Sequence, residues 1–197
     1  MIRCPALRLV ALVAFLLPAA ASAQAGREGL SLSAHVYAAQ LSVEVGGDES
    51  SDSGGGLGGE VAYGFTPRLA AFLALGGASM EPEDGGDGYG LGTADLGLRF
   101  NLRPSSRLNP YLQAAVTGQV ASFDVPGTSA DLEARGGGLT IGGGLLYDLS
   151  PSVSFDVALD LTGGRFTELA FDGESTDNFD EIDSGIVRLG VGAVFKP

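Results

Sequence analysis

The chain has 197 residues, 45% of them hydrophobic, with 32 glycines, no tryptophan and a formal net charge of −13. Such acidity excludes a nucleic-acid partner, which requires a basic footprint. One cysteine and one histidine exclude a disulfide framework and a Cys/His zinc site.

The N-terminus reads as an export signal. Arg3 and Arg8 give a positive start, Leu9 to Leu17 form an apolar run too short to span a bilayer as a helix, and Pro18 breaks it. Ala21-Ser22-Ala23 is a small-x-small cleavage pattern, predicting a cleaved signal peptide over 1–23, a short N-terminal segment over 24–30 and one domain over 31–197. Cleavage removes Cys4 with both arginines and no acid, taking the net charge from −13 to −15. No later stretch is long and apolar enough for a transmembrane helix.

Eight segments then alternate between apolar and small or polar residues with period two, the strand signal. The first, 32–44, has an expected shift of register near Ala38-Ala39. In 57–65, Leu57, Val61, Tyr63 and Phe65 share a face; in 69–79, Leu69, Ala71, Leu73 and Leu75 do. Segment 90–102 aligns Leu96, Leu98, Phe100 and Leu102, and 111–123 aligns Leu112, Ala114, Val116 and Val120. Segments 138–149, 153–162 and 185–195 repeat the pattern, ending on Val187, Leu189, Val191, Ala193 and Phe195.

The connections alternate as well. Thr66-Pro67-Arg68, Arg103 to Asn109 and Ser150-Pro151-Ser152 are short, whereas 46–56, 80–89, 124–137 and 163–184 are long and hold 17 of the 24 acids. Short turns at one end and long loops at the other predict an all-β fold: an eight-stranded antiparallel up-and-down transmembrane β-barrel with short periplasmic turns and long acidic extracellular loops. The face opposite the apolar one separates this from a soluble barrel. It carries Gly58, Ala62, Gly64, Ala70, Ala74, Gly76, Gly142, Gly144, Gly190 and Gly192, and the chain has a single lysine, Lys196. Small residues suit a cramped lumen better than a solvated surface.

Two constellations follow from the alternation. Phe65, Phe100, Tyr111, Tyr147, Phe155 and Phe195 lie near short turns or the C-terminus and are expected to form an interfacial aromatic girdle. Glu60, Asp95, Arg99, Gln113, Gln119, Asp156, Asp160 and Arg188 are expected to face the lumen, because charges toward the bilayer midplane cost several kcal/mol. Arg99 and Arg188 are predicted to pair with members of the set Glu60, Asp156 and Asp160, plugging the barrel.

Chemistry beyond this is sparse. Ser33 and His35 share a strand face, but no orienting acid or oxyanion donor adjoins them, so no catalytic residues are expected. Gly54-Gly55-Gly56 and Gly136-Gly137-Gly138 lack the lysine and helix of a phosphate loop. The loop acids fit no EF-hand spacing; weak divalent-cation binding is the most they predict, with no cofactor and no dedicated metal site.

The turns Thr66-Pro67-Arg68-Leu69 and Leu108-Asn109-Pro110-Tyr111, with the closing strand Val187 to Phe195, resemble the small outer-membrane β-barrel (porin-like) superfamily, which includes the OmpA transmembrane domain and OmpX-like and OmpW-like proteins. The resemblance covers 31–197 and departs at the end, where Lys196-Pro197 follow Phe195 in place of a terminal aromatic residue. It implies the outer membrane of a Gram-negative envelope, and as partners the membrane lipids including lipopolysaccharide, periplasmic chaperones and the barrel-assembly machinery. A monomer is expected, since a closed barrel leaves no edge strand. The function expected is non-enzymatic, in envelope integrity or surface interaction; the alternative is a narrow OmpW-like channel for a small solute.

Overall fold

The computed structural model describes residues 27–45, 48–83, 85–124, 131–171, 174–176 and 182–197. The described residues form nine strands: β1 (Gly29–Val45), β2 (Asp48–Gly64), β3 (Leu69–Glu81), β4 (Tyr89–Asn101), β5 (Leu108–Asp124), β6 (Asp131–Asp148), β7 (Val153–Phe171), the three-residue β8 (Glu174–Thr176) and β9 (Ile182–Phe195). Among the described residues there is no helix. Each long strand pairs antiparallel with its neighbours, β6 pairs β7, β7 pairs β9 and β9 pairs β1, so eight strands close into a barrel. Among the described residues β8 pairs with the outer end of β7.

Twenty-eight large apolar side chains are exposed among the described residues, including Leu57, Leu96, Val116, Leu139, Ile141 and Leu189. A belt of that extent is matched by hydrocarbon and not by water. Roughly 9–11 residues carry a tilted strand across a bilayer. With strands of 13 to 19 residues, the wall therefore continues past the membrane.

The short turns form tight hairpins. Phe65 and Thr66 donate their backbone N–H groups to the Leu69 carbonyl, and the Thr66 hydroxyl accepts from the Leu69 N–H at 3.0 Å. At the opposite end the strands overrun the tracts expected as loops. β2 begins at Asp48, so most of 46–56 is ladder; β6 begins at Asp131 and β7 reaches Phe171. Only 82–88 of the second tract joins two strands as a connection. Glycine and serine are weak strand formers, but a partner strand already in register supplies every backbone hydrogen bond, as where Gly54 to Gly59 lie opposite Ala39 to Ala34.

The shift of register expected near Ala38-Ala39 does not occur. One register runs from Gly29↔Gly64 to Val45↔Asp48, with Ala38 exposed and Ala39 buried. What changes there is the chemistry of the inner face, from His35 and Tyr37 to Leu41 and Val43, and an apolar inner face imitates a phase slip.

Candidate functional site: the barrel lumen

Inward side chains form three layers. At the short-turn end Arg27, ahead of β1, reaches under the barrel and donates to the Pro104 carbonyl at 3.1 Å and to Asp148 at 2.9 Å. Asp148 also accepts from Lys196 at 2.9 Å and Ser154 at 2.5 Å, so one carboxylate ties the segment before β1 to the end of β9. Burial favours the neutral acid, but the hydrogen bonds from Ser154 and Lys196 and the Arg27 charge outweigh it and hold the Asp148 carboxyl below the usual carboxylate range.

The middle layer is charged. Arg99 donates to Glu60 at 2.6 Å and to the Gln113 carbonyl at 2.9 Å, and Gln113 passes a 2.7 Å hydrogen bond to Asp160. The Arg99 guanidinium lies 4.5 Å from the centre of the Tyr111 ring, and the Tyr111 hydroxyl donates to Asp156 at 3.1 Å. His35 Nε2 is 3.0 Å from the same carboxylate. Arg188 donates to Asp95 at 2.8 Å and to Thr93 at 2.9 Å, and Thr117 donates to the other Asp95 oxygen. Thr117, Thr140 and Thr162 then form a hydroxyl ladder along three adjacent strands. Four carboxylates thus face two guanidinia, and Asp95, Asp156 and Asp160 also accept hydrogen bonds from Thr117, Tyr111 and Gln113. About 80 Å³ stays open beside them, room for a few waters.

Glycine makes the space. A Cβ on Gly144 would fall 2.5 Å from the Tyr111 hydroxyl, one on Gly76 would fall 2.7 Å from the Tyr37 hydroxyl, and one on Gly192 would overlap the His35 ring. The small inner face read from the sequence is the mould around these polar side chains.

The structure brings Glu60 and Arg99 together, as it does Asp160 and Gln113. Arg188 meets Asp95 and not a member of the set Glu60, Asp156 and Asp160; Asp156 is held by Tyr111 and His35 instead. Of the girdle residues, Phe65, Phe100, Tyr147, Phe155 and Phe195 face outward at the short-turn rim. Tyr111 is a correction: it is 2% exposed and points into the lumen. It directly precedes outward-facing Leu112, so the pleat sends it inward. His35, which lacked an orienting acid in the sequence, acquires Asp156 from β7, a pairing that local spacing could not reveal. Ser33 Oγ is buried without a hydrogen-bond partner, so no Ser–His contact exists. Asp84, Asp172, Asp177, Asp180 and Glu181 of the acidic tracts lie outside the described residues.

The third layer, toward the long connections, is apolar. Ala39, Leu41, Met80, Leu91, Phe166 and Ile186 form its buried cluster.

A closed eight-stranded barrel with an apolar outer belt and a polar, side-chain-filled middle is the architecture of a small transmembrane β-barrel. The profile of the family described as outer membrane protein beta-barrel domain matches residues 9–195, and this chain belongs to that family. Its place is accordingly the outer membrane. No curated protein matches the sequence. Among solved structures it is similar to Neisserial surface protein A (NspA), at 18% identity and a TM-score of 0.60, covering 86% of this chain and 100% of that one. OprG from Pseudomonas aeruginosa follows at 14% identity and 0.56, covering 88% and 98%. The outer membrane protein AlkL, solved in lipid bilayers, shares 20% identity at 0.53, covering 91% and 96%. At these identities the likeness is one of fold.

Proposed function

We propose that this barrel is a non-enzymatic envelope protein, acting in outer-membrane integrity or surface interaction, whose lumen is shut by its own paired charges. The observation that carries this reading is the Arg188–Asp95 bridge, 2.8 Å long between β9 and β4, with Arg99, Glu60 and Gln113 beside it. Guanidinium and carboxylate locked in a lumen this narrow obstruct solute flow.

In this reading the chain is exported by cleavage after Ala23, escorted by periplasmic chaperones, inserted by the barrel-assembly machinery and monomeric in lipid. Its acidic outer strand ends and connections meet lipopolysaccharide, with divalent cations weakly bridging carboxylate and phosphate.

Planar-bilayer recording tests the closed lumen. The wild-type barrel is expected to give no conductance steps, and Arg188→Ala combined with Arg99→Ala is expected to introduce them. Steps in the wild type would favour the narrow small-solute channel.

A further inference from the structure

The outer third of the lumen has the makings of a binding site. A polar interior is the rule for a transmembrane barrel, yet here the inward wall beyond the charged layer is apolar, and it does not close. About 260 Å³ of space is left among Leu41, Tyr89, Phe123, Ala134, Phe166 and Ile182, more than three times that beside the charges. Protein interiors are normally packed without voids, and an apolar cavity forfeits contacts on every wall. A preformed apolar chamber with a few polar groups is what small-molecule sites look like. Its volume lies just under the ~300 Å³ lower end for drug-sized ligands, which fits a single short chain or ring and not a lipid.

The chamber has a floor. Gln119 donates to Ser184 at 2.6 Å, and the Arg188–Thr93–Asp95 cluster lies in the charged layer beneath, so a ligand entering from outside stops here.

Its polar group selects charge. Asp52 is the charged residue in the wall, and it accepts a 2.7 Å hydrogen bond from Tyr89. The Tyr89 ring stacks on Phe123, centroids 4.8 Å apart. A carboxylate beside aromatic faces in an apolar setting is the chemistry that holds an ammonium, by charge and by cation–π attraction. Glu44, Glu133, Glu168 and Asp183 lie on the neighbouring strand ends and are not part of the chamber lining. Of the cations on these strand ends, Arg135 is paired with Glu133 and Arg165 with Asp183. Anionic tails such as fatty carboxylates and alkyl sulfates are repelled.

We propose that this chamber binds a small cationic amphiphile, its ammonium head against Asp52, Tyr89 and Phe123 and its short apolar tail against Leu41, Phe166 and Ile182. This inference is independent of the envelope role proposed above.

Met80 is an internal reporter. It and Met1 are the two methionines of the chain, and Met80 is fully buried in the apolar cluster. The full-length barrel, exported, carrying ¹³C-methyl methionine and held in zwitterionic lipid nanodiscs, is titrated with octyltrimethylammonium and, separately, with octyl sulfate. The Met80 methyl signal is expected to shift saturably with the cation and not with the sulfate. Asp52→Asn should weaken the cation about tenfold, the loss of one partly buried charge contact, and Ala134→Phe, which fills the chamber, should abolish the saturable shift. Equal responses to cation and sulfate would overturn the proposal. So would a non-saturating shift that persists in Ala134→Phe, which would mean partition into the bilayer. If Ala134→Phe fails to insert, the charge selectivity and its loss in Asp52→Asn decide alone.

Discussion

Arg188 of β9 and Asp95 of β4 meet at 2.8 Å although four strand steps separate them in either direction around the ring. The bridge is therefore a strut across the barrel, and both side chains are at most 10% exposed. Removing one partner strands the other charge in the lumen, a loss of about 3–5 kcal/mol for a buried pair. Arg188→Leu is expected to lower the temperature at which the SDS-resistant folded band gives way on gels. Adding Asp95→Leu should restore part of that loss, because the orphaned carboxylate goes too. An unchanged transition in Arg188→Leu would show that the strut bears no load.

Asp148 sets an acid limit at the other end. Its carboxyl is held below the usual carboxylate range in the folded barrel by Ser154, Lys196 and Arg27, against the opposing effect of burial. A depressed folded value gives stability that is fully present above the unfolded carboxylate range near pH 4 and is lost as pH falls through the folded value. A spin label attached through Glu28→Cys, next to Arg27, should be immobile at pH 5–7 and gain mobility as the pH falls below about 4. Asp148→Asn should remove that acid dependence and leave the label mobile throughout.

The inner and outer glycines predict opposite outcomes. Gly144→Ala places a methyl against the Tyr111 hydroxyl and the Val157 carbonyl, whereas Gly163→Ala meets nothing within 4 Å. Overpacking costs about 1–3 kcal/mol, so Gly144→Ala should shift the urea midpoint of refolding in lipid vesicles markedly. Gly163→Ala should be neutral or slightly stabilising through the unfolded chain. Equal effects would contradict the packing of Tyr111 against β6.

The lipid face is tested by charge. Ile141 is 64% exposed in the middle of β6 and Tyr147 lies near its short-turn end. Arginine costs about 2–4 kcal/mol at the bilayer midplane and about 0–1 near an interface. Ile141→Arg should therefore destabilise the barrel in vesicles far more than Tyr147→Arg, with the ranking lost in a urea series if the two sites share one depth.

Much of this molecule was legible in its residues. Alternation in eight segments, proline-bearing short turns and a Gly/Ala face are local properties, because successive side chains on a strand point to opposite faces wherever the strand goes. From them come the strand count, the antiparallel order, the outward Leu57, Leu96 and Ile141, and the inward Glu60, Arg99 and Arg188. The strand ends were less legible, since the glycines and serines of 48–56 have no preference of their own and become strand only on pairing with β1.

Which inward groups meet was decided by closure alone. Period two says that Asp95 and Arg188 face inward, but their 93-residue separation becomes 2.8 Å only when β9 pairs both β7 and β1 and sets β4 opposite. In the same way His35 gains Asp156 from β7, and Asp148 gathers Arg27 from ahead of β1 and Lys196 from beyond β9. Sequence determined direction at each residue, because pleat and side-chain chemistry are local. The tertiary structure decided partnership, because distance across a lumen depends on strand order and stagger around the whole ring.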